Sequence, residues 1–358
     1  MFKFYDLYSV LSIAVGNTDE YTLPKDIDLE GLYELSKRQG VAALAFDGLM
    51  RLYELYPGLQ LPWDKQLRRD WFGTVVGMEV SYEKVTDTLN DLSDLYASNN
   101  IRMLLLKGWG LSKYYPIPAH RPLGDIDIYL FGKQKEADAL IQEKKGIKVR
   151  KDKEHHTVFK YDGFTVENHY DFINTKIRRS GRSFDNLLKT MVGESGYKMS
   201  GSFYLPGARF NMLFLMKHMS GHFASEGIVL RHVLDWALFV RAESASLDWE
   251  SFFDICHKYN THKFISCINA ICVDYLGFNS SLFPVETRDS DLEERVLNDI
   301  MNFEQEKRPR NKVAELVFKT CKWFRTRWKQ RICYNDSAIS SFWTSVLANL
   351  REPIVDNS

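Results

Sequence analysis

Asp125 and Asp127 stand two residues apart in Arg121-Pro122-Leu123-Gly124-Asp125-Ile126-Asp127-Ile128. Upstream lies Lys107-Gly108-Trp109-Gly110, a glycine-containing turn after an apolar run from Arg102 to Leu106. The apolar run predicts one strand, and the two carboxylates open a second. Side chains alternate faces along a strand, so Asp125 and Asp127 share one side and Ile126 and Ile128 the other. Paired carboxylates repel each other, and a divalent cation between them relieves the repulsion. Mg2+ suits one or two carboxylates together with substrate phosphates. The layout reads as a site for phosphate chemistry.

These residues resemble the nucleotidyltransferase superfamily that includes DNA polymerase beta. They resemble more narrowly a family of uncharacterised bacterial nucleotidyltransferases, whose core has a Lys-Gly turn, Tyr-Pro, and Arg-x-x-Gly-Asp-x-Asp. Those elements are here Lys107-Gly108, Tyr115-Pro116 and Arg121 to Asp127. Where the superfamily usually has Gly-Ser, this chain has Gly108-Trp109-Gly110, which fits the narrower family. The core resemblance covers roughly residues 100 to 172, and a weaker one extends to about residue 250.

The superfamily needs a third acid on a neighbouring strand. His156 to Lys160 and Phe164 to His169 are β-rich runs joined through Tyr161-Asp162-Gly163, and Asp-Gly between such runs signals a hairpin. On its second strand Thr165, Glu167 and His169 share a face. Glu167 sits where the family pattern puts its third acid, with His169 beside it. Relatives commonly carry Asp there, one methylene shorter.

The resemblance implies roles. Asp125, Asp127 and Glu167 would be catalytic and would hold Mg2+, with Mn2+ as the alternative. Lys107, Gly108, Gly110, Arg121 and Gly124 would surround the nucleotide. Lys107 can neutralise a triphosphate, or snorkel from the end of a buried strand. Gly108 and Gly110 can admit a phosphate close to the backbone, or serve only the turn. Arg121 can hold a phosphate, or pair with Asp125 or Asp127 and orient them.

His218 and His222 are four residues apart on one helix face, without the Glu of a His-Glu-x-x-His zinc motif. They read as a polar face against the cleft or as hydrogen-bonded packing. Arg231 and Asp235 have the same spacing and read as an intrahelical ion pair. The weaker resemblance favours substrate-facing roles for His169, His218, His222 and Arg231. Lys307 to Arg331 is basic, with Val317, Cys321, Phe324, Trp328 and Ile332 at helical spacing. Such a helix can meet RNA or an anionic membrane, but a solvated face beside a packed stripe is the preferred reading.

Composition bounds the rest. Forty-seven basic and 47 acidic residues cancel, so no global field attracts nucleic acid or membrane. Nucleic acid is therefore not favoured as a partner; the partners expected are an NTP and an unidentified acceptor. The five cysteines include no Cys-x-x-Cys pair, which argues for reduced, buried thiols in a cytoplasm. Residues 7 to 15 are the one candidate signal core, but Ser9 and Ser12 interrupt it. Phe4, Leu7, Leu11 and Ala14 instead predict an amphipathic helix. No run reaches the length of a membrane span.

The expected fold is α+β: a small mixed β-sheet nucleotidyltransferase core at 96–202, flanked by helical regions at 1–95 and 203–358. Helical stretches are predicted within 29–55, broken near Gly40, and over 80–95. A short helix is predicted near 135–144. Residues 178–202 read as a polar connection, and 279–291 and 305–311 as loops. The expected activity is metal-dependent transfer of an NMP from an NTP, releasing pyrophosphate. The alternatives are a non-catalytic nucleotide-binding protein on the same fold and an RNA-interacting regulator.

Overall fold

A computed structural model describes residues 2–20, 27–151, 155–175, 179–194, 197–304 and 312–335. Helices α1 (Phe2–Ala14), α2 (Leu29–Arg38), α3 (Ala42–Leu55) and α4 (Lys65–Ala97) come first. Gly40, at φ 66°, makes the break between α2 and α3. Asp28 and Asp64 cap α2 and α4 by accepting first-turn backbone N–H groups. The 80–95 stretch is only the C-terminal half of the 33-residue α4, so a boundary at 95 falls inside a helix. Helix α1 is not amphipathic as expected. Leu7, Val10, Leu11 and Ile13 are all fully buried, because α3 and the C-terminal helices enclose it.

The sheet begins with β1 (Leu104–Leu105), shorter than the expected 102–106 strand, then α5 (Trp109–Ser112) and β2 (Ile126–Tyr129). Asp125 lies just outside β2 rather than within it. After α6 (Gln134–Lys145) come β3 (Arg150–Lys151), β4 (His156–Tyr161) and β5 (Phe164–His169). Asp162 and Gly163, at φ 48° and 87°, form the turn of the β4–β5 hairpin. Residues 178–202 were expected to be a polar connection. Their described part holds α7 (Arg179–Glu194) and β6 (Tyr197–Ser200), with Phe184, Leu188 and Val192 in the core. Those residues recur every four along the chain, and the surrounding polar residues masked that spacing. Strand β7 (Phe203–Pro206) completes the sheet, whose order is β3-β4-β5-β2-β1-β7-β6. Strands β2 and β5 run parallel, and β1 and β2 antiparallel, so the sheet is mixed.

Helices α8 (Ala208–Ser225), α9 (Leu230–Glu243), α10 (Trp249–Lys258), α11 (His262–Asp274), α12 (Ser290–Met301) and α13 (Lys312–Cys333) follow. The 279–291 loop contains a short 3-10 turn at Ser280–Leu282, and α12 starts within it. The expected 305–311 loop lies outside the described residues.

The two sheet faces bury different cores. Ile126, Ile128, Val166 and Phe159 pack with Val85, Leu89 and Leu92 of α4 and Ile141 of α6. The opposite face, with Leu104, Leu106 and Tyr129, joins a core shared by the N-terminal and C-terminal helices. Side chains reaching backbone carbonyls stitch those two helical regions together. The Gln39 amide donates to the Ile300 carbonyl at 3.0 Å, and the Arg241 guanidinium to the Val15 carbonyl at 2.7 Å.

The α13 stripe is only partly packed. Trp328 is partly buried and Ile332 buried, but Cys321, Val317 and Phe324 are exposed, the last two at 57% each. Cys321 thus departs from the expectation of buried thiols, while Cys256, Cys267, Cys272 and Cys333 are buried. No helix of the described residues is long and apolar enough to cross a membrane.

Candidate active site

Gly108 leaves β1 at φ 61°, ψ −115°, a conformation that side-chain-bearing residues rarely adopt. Trp109, the residue in the Gly-Ser position, turns inward. Its indole N–H donates to Thr86 at 2.8 Å, and its ring stacks on Tyr82 of α4. Gly110 packs closely: a Cβ there would come within 3.1 Å of the Leu205 Cδ2 on β7, and that side chain would have to shift. Gly124 has neither constraint: its φ is not positive and a Cβ would meet nothing within 4 Å.

Strand pairing sets the carboxylates. Asp127 on β2 is the direct partner of Glu167 on β5, so both project from the same face. The Asp127 side chain is 2% exposed and holds two nitrogen contacts: Lys107 Nζ at 3.1 Å and His169 Nε2 at 3.1 Å. Burial alone would raise the Asp127 pKa, but Lys107 and His169 together outweigh it and hold the carboxyl well below the usual range. His169 shows the reciprocal balance. Burial opposes its protonation, but its contacts with Asp127 and Glu167 raise its pKa. Glu167 lies 3.5 Å from His169 Nε2 and 3.7 Å from His156 Nε2. Asp125 is more open. Burial first, then the nearby Glu167 and Asp127 charges, raise its pKa against the help of Lys107 and a hydrogen bond from Thr165.

Two overlapping donor groups result among the described residues. Ligand atoms of Asp127, Glu167 and His169 lie within 4.8 Å of one another, and so do those of His155, His156 and His169. Asp125 belongs to neither group, although its carboxyl responds to both acids. The oxygen side of this cluster has the donor type of a hard divalent ion: the Asp127 and Glu167 carboxylates converge and Asp125 flanks them, while Lys107 is the cation such an ion would displace from Asp127.

Arg121, expected at a phosphate or on the Asp pair, is engaged elsewhere. Its Nε and Nη2 donate to Asp235 Oδ1 and Oδ2, both at 2.8 Å, and the Tyr115 hydroxyl donates to Asp235 Oδ1 at 2.8 Å. All three residues are buried. Asp235 was expected to pair within α9 with Arg231. The stronger fork–fork contact comes instead from the loop before β2. This fastens the Arg-x-x-Gly-Asp segment to α9.

His218 stacks on Phe214, and the His218 and His222 rings lie 4.4 Å apart. Burial, and then Lys107 among nearby charges, push the His218 pKa well below its ordinary value. The Arg231 guanidinium lies 3.5 Å from His232 Nε2. Of these side chains, His218 lies near enough to Lys107 and His169 to feel their charges. Burial, then Arg231, also pushes His232 down to about 3.

Sequence reasoning missed Asp235, Thr165, His155 and His156 as site residues. The histidines had a readable signal. A two-residue Asp-Gly turn pairs Tyr161 with Phe164, and the same register pairs His156 with His169. Asp235 had none, because its partner lies far away in sequence.

Residues 25–277 match the model of a family described as uncharacterised nucleotidyltransferase. No curated protein matches the chain, and no solved structure matches it.

Proposed function

The chain belongs to this nucleotidyltransferase family, and on that premise we propose a metal-dependent enzyme of the DNA polymerase beta-like superfamily that moves an NMP from an NTP to an acceptor hydroxyl or phosphate. One observation carries the reading: Asp127 and Glu167 are register partners on parallel strands, with Asp125 at the mouth of the same face and Lys107 on Asp127. Asp125 and Asp127 would hold Mg2+ with the triphosphate, and Glu167 would serve the acceptor side. When bound, the metal would neutralise triphosphate charge and polarise the reacting oxygens.

The chain's own groups perform the remaining work. The turn at Gly108 brings backbone close to the phosphates, and Lys107 exchanges its carboxylate partner for a phosphate oxygen. The acceptor oxygen forms a bond to the α-phosphorus while the bond to the bridging α–β oxygen breaks. Pyrophosphate leaves with that electron pair. Glu167 takes the acceptor proton. Positioning and charge neutralisation dominate such transfers.

The competing reading is nucleotide binding without turnover. It is favoured by the existing partners of Asp127, which already has the Lys107 ammonium and the His169 imidazole at 3.1 Å each. Pyrophosphate release, assayed with each NTP, Mg2+ and panels of sugar, peptide, protein and RNA acceptors, separates the two. Glu167→Gln should keep NTP binding and cut release by about 10²- to 10⁴-fold, the worth of general-base assistance. NTP binding without release under any acceptor would favour the binder.

A further inference from the structure

We propose that His155, His156 and His169, with Glu167 as a fourth donor, form a binding site for a first-row transition dication of the zinc type. This position is nitrogen-rich; it shares His169 and Glu167 with the acid group at Asp127 and leaves Asp125 out. Binding of the ion stands on the histidine geometry alone; only its role, beside the acceptor-side acid, rests on the proposed transfer.

The hairpin builds the site. His156 and His169 are direct partners across β4 and β5, so their rings leave the same face as Glu167. His155 precedes β4, and its carbonyl accepts the backbone N–H groups of Tyr170 at 3.0 Å and Asp171 at 3.3 Å. That pins His155 over the end of β5. Its ring centroid lies 5.1 Å from that of His156 and 5.0 Å from that of His169, and the latter two are 5.1 Å apart. The three rings meet at 50° to 74°, a three-sided cluster rather than a parallel stack.

Distances suit a common ion. Zinc–nitrogen and zinc–carboxylate bonds near 2.0–2.1 Å put neighbouring donors of a tetrahedral ion about 3.4 Å apart. Glu167 Oε2 lies 3.5 Å from His169 Nε2 and Glu167 Oε1 lies 3.7 Å from His156 Nε2, so each carboxylate oxygen faces one imidazole within a few tenths of that value. The three imidazole donors lie within 4.8 Å of one another, so small ring rotations complete the closure. The outer contact is also of the right kind. His169 Nδ1 faces the Asp171 carbonyl at 3.3 Å, and donation there leaves Nε2 as the ligand atom. Three nitrogens and one carboxylate suit zinc-type ions, whereas Mg2+ demands oxygens in near-octahedral array.

The chelator-treated 358-residue chain should be titrated with Co2+ and followed by visible absorption. We expect one saturable equivalent, displaced by Zn2+ and not by millimolar Mg2+. His155→Ala with His156→Ala should weaken it by at least the roughly 10–100-fold that loss of an outer partner alone costs. Asp125→Asn should keep the Co2+ spectrum. No saturable Co2+ binding, displacement by Mg2+, or unchanged affinity in the double variant overturns the site. If circular dichroism shows the double variant unfolded, the half-buried His155→Ala alone carries the same comparison. An NTP thermal shift, with Mg2+ or EDTA, is the separate readout. Its absence beside intact Co2+ binding refutes the nucleotide reading and leaves this site standing.

Discussion

Lys107 shows how one residue can serve both folding and function. Its ammonium sits on a carboxylate that is 2% exposed, where a divalent ion is proposed to bind. Lys107→Ala should therefore lower the melting temperature in EDTA, because a charge-assisted contact is worth about 1.5–3 kcal/mol. Mg2+ should restore much of that loss, since a cation then replaces the ammonium at Asp127. Scanning calorimetry with and without Mg2+ checks this; a deficit indifferent to metal would remove the ion from Asp127. NTP affinity should still fall by one to two orders of magnitude, the equivalent of about 1.5–3 kcal/mol. Arg121 should behave differently. It is buried on Asp235 with the Tyr115 hydroxyl on the same carboxylate, so Arg121→Ala leaves a buried charge unpaired. That should cost about 3–5 kcal/mol of stability. Chemical denaturation measures it, and a stability change under about 1 kcal/mol, the worth of a surface pair, would mean that Arg121 is not a clamp. The residue types at these positions were legible in the sequence. The partner of Arg121 was not, because ion pairs between distant segments leave no local period.

At the scale of elements, the hairpin was legible and its neighbours were not. Asp162-Gly163 fixes a two-residue turn, and with it the pairing of Glu167 with Val158 and of His169 with His156. Strand β1 spans only two residues of an apolar five-residue run, and α7 lay hidden in a polar stretch. Short strands and helices take their bounds from packing partners, which sequence periodicity does not contain. The turn between α5 and β2 has a further fastening. His120 lies 2.7 Å from Asp47 on α3 and 3.1 Å from Glu79 on α4. Burial works to lower the His120 pKa, but the two carboxylates outweigh it and raise the value above 6.5. A raised folded-state value means the stabilisation is full below 6.5 and is lost as pH rises through the folded pKa. The stability difference between the parent and His120→Gln should thus shrink as pH rises above 6.5, as read from denaturation at each pH. A difference that grows with pH would mean that the protonated ring is not what binds these helices. Lys329 on α13 is a correction of the same type. Expected among solvated residues, it is buried, pairs with Asp299 and lies over the Phe223 ring. Lys329→Glu should destabilise the protein by about 3–5 kcal/mol, whereas a solvated position would tolerate the reversal.

The molecule as a whole places its chemistry where two kinds of core meet. One sheet face packs on α4 and α6, and the other turns its acids and histidines toward helices drawn from both ends of the chain. Those ends share one core, through contacts such as Gln39 to Ile300. The α+β class and the helical flanks were readable from periodicity and glycine positions, but the union of the flanks was not, since it depends on contacts across more than two hundred residues. The neutral net charge leaves nucleotide attraction to local groups such as Lys107 rather than to a global field. The central claim concerns that local field: divalent metal and the Asp pair together hold the nucleotide. Isothermal titration of ATP, CTP, GTP and UTP into the 358-residue chain, with Mg2+ or with EDTA, tests it most directly. Saturable binding of at least one NTP should require Mg2+, and should fall by about tenfold or more in Asp127→Asn, the equivalent of about 1.4 kcal/mol, while surviving in Glu167→Gln. Binding that is equally strong in EDTA and unchanged in Asp127→Asn would contradict the account.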